Sequence, residues 1–333
     1  MFSFSKVYHI NSFRYNKFLN TLLKDTALTL QALQEHLQHK LESFQDTTKE
    51  FKRLFHGRGG LYEGLRHLTV DHVNENILSV ALYFKEENEA QLLEMLTTFA
   101  ANEKYETLVV QRRYEKGAPS EIIFGEVPED LTIIENGMKL KLNLLANKNS
   151  YYFPDMKNGR TFVREQAKNK HVLNLFSYTC AFSVAAKFGY ASSVVNIDMS
   201  KGALKVGMAN HSINKLDPKG VSFLPYNILK SFSAIKKKGP YDLIIIDPPS
   251  FQRGSFEATK DYEKIIKKLP QIAAEECTLL ACLNSPELQS SFLIEMIERW
   301  APSFKFQKRL DNVSEFKSAD EERSLKNLVF IRE

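Results

Sequence analysis

The sequence predicts an α/β protein: a doubly wound, mostly parallel sheet in residues 149–333, preceded by a small α+β domain over 56–148 and a helical arm over 1–55. Three observations carry this expectation. From Val172 onward, short and nearly continuous apolar runs (VLNLF, SVVNI, VSFL, DLIII, TLLACL) alternate with helix-length segments, the pattern of strands buried on both faces and joined by helical crossovers. Between residues 77 and 145, strand-like runs surround a single helical run. Ahead of them stands His56-Gly57-Arg58-Gly59-Gly60, whose glycines interrupt any helix or strand. A chain of 333 residues is long enough to bury two cores.

In the arm, Leu19, Leu22 and Leu23, then Leu28, Leu30, Leu33, Leu37 and Leu41 recur at mixed three and four spacing, a helical stripe whose polar face, with Lys17, Lys24, Lys40, Lys49, Lys52 and Arg53, is either a solvated face or one that touches phosphate. In the small domain, Ile77–Phe84 and Thr107–Val110 read as strands around the helix Glu89–Phe99, followed by Ile122–Val127. Leu131–Leu145 divides at Glu135-Asn136-Gly137, which supplies hairpin turn chemistry, and Ala146–Ser150 is polar enough for a linker. At the other end, Phe304–Leu310 and Leu325–Ile331 follow the helix Pro286–Trp300 with no helix-length apolar segment between them, so they are expected to close the sheet as a hairpin with an antiparallel strand.

With 43% hydrophobic and 26% charged residues the composition is that of a globular protein. There is no apolar run near the roughly 20 residues a spanning helix needs. The start lacks the apolar stretch and cleavage site of a signal peptide, so a cytoplasmic, non-membrane protein is expected. The cysteines, Cys180, Cys277 and Cys282, show neither CxxC nor Cys/His ligand spacing, so no disulfide framework, zinc site or other metal site is expected. A net charge of +5 permits a polyanionic partner without identifying one.

In an open parallel sheet the ligand lies beyond the carboxyl ends of the strands, so the residues after each run matter most. After the first comes Ser177-Tyr178-Thr179-Cys180-Ala181, short or hydroxylic residues turning into a helix, with no GxGxxG to indicate a dinucleotide. After the second stands Asp198, placed to accept both hydrogen bonds of a ribose diol; its alternative as a helix cap competes with Ser200. After the third, Asn227 either offers its amide to an adenine edge or is an ordinary turn residue. After the fourth comes Asp247-Pro248-Pro249-Ser250-Phe251. Consecutive prolines cannot continue a central strand and so fix a rigid loop over the sheet edge, where Asp247 offers a carboxylate and Phe251 a stacking face.

The run Tyr152-Phe153-Pro154-Asp155-Met156-Lys157-Asn158-Gly159-Arg160, followed by VLNLFSYTCAFSVAAKFG, VVNIDMSKGALKVGMANHSINKLD, GPYDLIIIDPPSFQRGSF and LLACLNSPEL, resembles the large-subunit (23S) ribosomal RNA methyltransferases of the K/L and I types, over about residues 120–333. The resemblance implies a Rossmann-like, seven-stranded class I methyltransferase sheet with S-adenosyl-L-methionine over the first two strands and the acceptor base at the DPPSF loop. It implies that Asp155 and Arg160 border the cofactor pocket, and that Asn174, Phe176, Ser177 and Thr179 form the first cofactor motif. It further implies Asp198 on the ribose, Met199 against adenine, and Asn227 where the family usually has Asp. Two positions depart from the family's pattern: its Gly-Gly-like step is Cys180-Ala181, and an arginine of its FLDxR stretch is Lys157. A homodimer is a further expectation from this family.

Methylation of cytosine C5 needs a cysteine nucleophile, which in the I type follows the fifth strand. Asn284 takes that place here, as an Asn does in the guanine-N7 K type, although Cys282 lies two residues away on the same strand face. The expected reaction is therefore methylation of a purine nitrogen, guanine favoured, in 23S ribosomal RNA, with Asp247, Pro248, Phe251 and Asn284 at the acceptor. Lys236, Lys237, Lys238, Arg253, Lys264, Lys267 and Lys268 are available to hold the RNA backbone. Alternatives are a protein or small-molecule acceptor, cytosine C5 chemistry through Cys282, and an RNA-binding scaffold without activity.

Overall fold

The computed structural model describes residues 30–44, 49–145, 149–252 and 256–332, and for 251 and 252 the backbone. The expected arm before residue 30 and Arg253 lie outside the described residues. Helix α1 (Leu30–Glu42) buries Leu33 and Leu37, four apart on one face. They enter the core of the small domain beside Leu54, Phe55, Leu92, Leu96 and Phe99. Helix does not continue to residue 55, because Phe51–His56 is strand β1. Its partner β2 (Leu68–Val73) is buried along its whole length, and Arg53 on β1 forks onto Asp71 of β2 (Nε to Oδ1 2.5 Å, Nη2 to Oδ2 3.1 Å). That pairing lets charged residues stand inside strands, which hides both from a search for apolar alternation.

Strands β3 (Ile77–Leu82), β4 (Thr107–Arg112) and β5 (Ser120–Phe124) complete a five-stranded sheet in the order β1-β2-β3-β4-β5. Its one parallel pair, β3 with β4, is joined by helix α2 (Glu89–Asn102). A separate hairpin, β6 (Thr132–Glu135) and β7 (Met138–Lys141), turns through Asn136 (φ 49°) and Gly137 (φ 82°). Two consecutive positive φ angles match the right-handed strand twist and favour Asn-Gly.

After α3 (Lys157–Gln166) the chain alternates β8 (His171–Leu175), α4 (Ala181–Phe188), β9 (Ser193–Ile197), α5 (Lys201–Ile213), β10 (Val221–Leu224), α6 (Phe232–Lys238) and β11 (Tyr241–Ile246). A two-residue ribbon, β12 (Phe251–Gln252) with β13 (Phe256–Glu257), precedes α7 (Ala258–Ile266), α8 (Leu269–Ile272) and β14 (Ala273–Leu283). Helix α9 (Ser290–Trp300) leads to the hairpin β15 (Phe304–Leu310) and β16 (Lys326–Arg332). The seven-stranded sheet has the order β10-β9-β8-β11-β14-β16-β15, with β16 antiparallel to both neighbours. This is the α/β architecture expected, closing hairpin included. Alternate residues of β11 serve the two faces: Ile244 and Ile246 join one core, Leu243 and Ile245 the other. No described helix is long and apolar enough to cross a membrane.

The β15–β16 connection returns to the small domain. Phe316 lies 5.2 Å from the His56 ring and 4.6 Å from the Arg53 guanidinium, and the Ala319 N–H donates to the Gly59 carbonyl (2.8 Å). A Cβ on Gly59 would come within 2.0 Å of the Lys317 carbonyl oxygen, so glycine permits this backbone contact.

Candidate cofactor and acceptor site

Strand order reverses at β8, which has β9 on one side and β11 on the other, and the carboxyl ends of these strands open a crevice there. A cavity of about 790 Å³ occupies it. Of the residues singled out from sequence, Asp155, Arg160, Phe176, Ser177, Thr179, Asp198, Met199, Asn227, Asp247, Pro248 and Asn284 border it. For Phe251 the backbone alone is described, paired with Glu257 in the β12–β13 ribbon.

The loop after β8 places alternate residues Phe176, Tyr178 and Cys180 at φ 58°, 45° and 61°, a path for which glycine is usual. Two N–H groups of this loop then meet the next strand: Ser177 N donates to the Ile197 carbonyl (3.1 Å), while Tyr178 N donates to Asp198 Oδ2 (2.9 Å). Cys180 is fully buried and is not a wall of the cavity. Its side chain turns to α5, where Gly207 leaves room; a Cβ there would come 2.5 Å from Cys180 Sγ. The departure from glycine is thus absorbed in helix packing. Burial pushes the Cys180 thiol up to about 12.

Asp198 also accepts from Ser200 N (Oδ1, 2.8 Å), so two backbone amides fix its carboxylate at the cavity wall. Ser200, not Asp198, caps α5 by accepting from Ala203 N (3.1 Å). Asn227 Oδ1 accepts from Lys230 N (3.2 Å), so this residue borders the cavity while also serving its turn. Asn174 is not among the residues that border the cavity. It is buried off the cavity, with Nδ2 donating to Asn196 Oδ1 (2.9 Å), and Asn196 donates in turn to Ser183 Oγ (2.9 Å).

Arg160 is 2% exposed and forks onto Glu135 of the β6–β7 hairpin, Nε to Oε1 and Nη2 to Oε2 both at 2.6 Å. The Tyr152 hydroxyl donates to the same carboxylate (2.5 Å). Against its burial, Arg160 and the Tyr152 hydroxyl hold Glu135 below its ordinary value. Asp155 is shifted up, foremost by burial, with Arg53 and Arg160 opposing. Burial and the neighbouring Asp155 raise Asp247 to about 7, again against Arg160. Two carboxyl groups shifted upward border this one cavity, and for Asp247 protonation is poised near neutrality.

The loop carrying Asp247 is tied to the exit of β14: Ser250 Oγ donates to the Asn284 carbonyl (2.5 Å). The buried Tyr262 hydroxyl lies 2.8 Å from the Cys282 carbonyl and 3.2 Å from that of Ile246, sharing its proton between the two strand ends. Cys282 itself is fully buried in the opposite core with Leu280 and Ile245, and burial pushes its thiol well above the ordinary range. No cysteine borders the cavity. Tyr151, Phe153 and Tyr178 are cavity walls that sequence reasoning does not single out. Aromatic neighbours of a strand-end loop carry no periodic signal, and the cue available is the cluster Tyr151-Tyr152-Phe153 immediately before Pro154.

The S-adenosylmethionine-dependent methyltransferase family matches residues 52–331. The chain belongs to that family. Among similar proteins, YwbD of Bacillus subtilis, provisionally assigned as a ribosomal RNA large subunit methyltransferase, is 34% identical over 279 residues, 78% of this chain and 67% of its own. The ribosomal RNA large subunit methyltransferase I of Tolumonas auensis is 30% identical over 69% of this chain and 60% of its own, and that of Escherichia coli O157:H7 31% over 72% and 62%. The chain thus spans about 60 to 67% of the length of these relatives. A solved structure, SMU.776, described as a provisionally assigned methyltransferase complexed with SAH, superposes with a TM-score of 0.82 at 24% identity, covering 92% of this chain and 83% of its own. Its likeness bears on the fold. The cavity suits the family's cofactor: Ser177 Oγ is buried at its wall with no hydrogen-bond partner among the described residues, and a polar group of a ligand satisfies such an atom.

Proposed function

We propose that this methyltransferase modifies a purine nitrogen, guanine favoured, in large-subunit ribosomal RNA, acting in the cytoplasm. The observation that carries the reading is the acceptor end of the cavity. Asp247 and Asn284 border it, and Cys282, the one thiol near in sequence, is buried behind the strand. Cytosine C5 chemistry requires a thiolate that reaches the ring, and Cys282 offers neither exposure nor ionisation. A nitrogen lone pair needs no covalent activation. When bound, S-adenosylmethionine supplies a methyl group on a positively charged sulfur. Ionised Asp247 accepts a hydrogen bond from an N–H of the base, Asn284 contributes amide groups to the same edge, and the Pro248-Pro249 segment keeps that edge rigid. Asp198 and Ser177 would hold polar groups of the cofactor, and Phe176 and Met199 would offer it apolar contact. The support from relatives is their naming as ribosomal RNA methyltransferases.

The test is transfer of labelled methyl from S-adenosylmethionine into ribosomal RNA from a strain lacking this gene, read by nucleoside mass spectrometry. A labelled methylguanosine is expected. Label in 5-methylcytidine would overturn the purine assignment, and no label despite cofactor binding would move the acceptor away from RNA.

A further inference from the structure

A second cavity, of about 470 Å³, adjoins the first: Asp155 and Asn284 border both. Its remaining walls come from parts of the chain far apart in sequence, the glycine turn after β1 with Arg58, the segment at Arg66, and the β15–β16 connection with Phe316 and Arg323. The Arg58 guanidinium sits 4.0 Å from the centre of the Tyr83 ring and has no carboxylate partner among the described residues. Arg66 is exposed, with no hydrogen-bond or ion-pair partner among the described residues, and its Nη2 lies 3.5 Å from where a Cβ of Gly60 would stand. Arg323 has an exchangeable surface contact with Glu287 at 3.1 Å.

Two carboxylates also border this cavity: Asp320, whose Oδ1 accepts from Glu322 N (3.0 Å), and Asp155, which it shares with the first cavity. His56, pushed down to about 3 by burial and by Arg53 and Arg58, adds no charge. Two guanidinium forks without carboxylate partners, beside a concave turn, match a phosphate, whose oxygens accept paired N–H donors. The lysines that the sequence offers for this task lie elsewhere. Lys236–Lys238 end α6 and lead into the amino end of β11, where the Lys238 carbonyl meets His171 at the start of β8. Lys264 and Lys267 are paired with Asp261 and Glu263 on α7 and the residue after it.

We propose that the second cavity is a phosphate subsite, in which Arg58 and Arg66 hold the RNA backbone beside the base presented at Asp247 and Asn284. The inference rests on the RNA reading above and makes the small domain part of the acceptor site. The test compares the full-length protein with an Arg58→Ala, Arg66→Ala double variant. It uses ribosomal RNA lacking the modification for kinetics, and a short fluorescein-labelled single-stranded RNA for binding across potassium chloride concentrations. The variant is expected to raise KM for RNA about tenfold or more, with kcat and S-adenosylmethionine affinity unchanged, and to reduce the salt slope by about 0.7, the value for one single-strand phosphate no longer neutralised. The Arg58→Lys, Arg66→Lys variant, which keeps both charges, is expected to restore the slope. Wild-type KM and slope in the alanine variant, with RNA methylation intact in the parent, would overturn the subsite alone. A parent that binds cofactor yet neither binds nor methylates RNA would overturn the RNA reading and the subsite with it.

Discussion

Asp247 and Asp155 border one cavity, and burial, with the neighbouring Asp155, raises the Asp247 carboxyl to about 7. If ionised Asp247 holds the base, kcat rises with pH through that value and levels above it. Replacing Asp155 with Asn removes the like charge, so the inflection is expected to move to lower pH, read from single-turnover rates between about pH 5.5 and 9. An unmoved inflection would assign the titration to another group. The same carboxyl bears on stability: its folded value lies above its unfolded one, so the stability it contributes is complete below about pH 4 and is lost as pH rises through about 7. At this scale the sequence is informative wherever function follows from position along the chain. Asp198 and Asp247 each stand at the end of an apolar run, and both border the cavity. Asn174 escapes that logic because one step back along a strand changes the face, and its polar partner, Asn196, lies on the neighbouring strand.

Among the elements, the β6–β7 hairpin has the largest effect on the site for its size. It is packed outside both larger sheets, yet its Glu135 anchors Arg160 at the cavity wall. Changing Glu135 to Ala leaves a buried guanidinium uncompensated, and a loss of about 3 to 5 kcal/mol is expected in urea unfolding. A loss below about 1 kcal/mol would mean that Arg160 finds water or another partner. The hairpin itself is legible in the sequence, since Asn136-Gly137 is a turn signal independent of tertiary context. Its role is not, because an ion pair between residues 25 apart leaves no local trace. Strands β1 and β2 escape sequence reasoning for the same reason: Arg53 and Asp71 look like surface residues until they are seen to neutralise each other.

For the molecule as a whole, the glycine turn meets the β15–β16 connection, and Arg58, Arg66 and Arg323 border the cavity beside that contact. The lysines of α6 and of the α7–α8 region lie toward the strands' amino ends, as a parallel crossover requires, because each helix descends to start the next strand. A Lys264→Ala, Lys267→Ala, Lys268→Ala variant is accordingly expected to keep its KM for RNA within about twofold of the parent, little more than the loss of long-range screened attraction. A rise of about tenfold would place the RNA on the opposite side.

Strand β16 lies between β14 and β15 although it follows both in the chain. During translation, β14 therefore waits with one edge unpaired until residues 326–332 have left the ribosome, and the β15–β16 connection waits with it. An exposed strand edge is a template for pairing with other chains. The nascent protein depends on this late stretch both to close that edge and to complete the junction between its domains, so a stalled or trimmed product is an aggregation hazard before it is a weak enzyme.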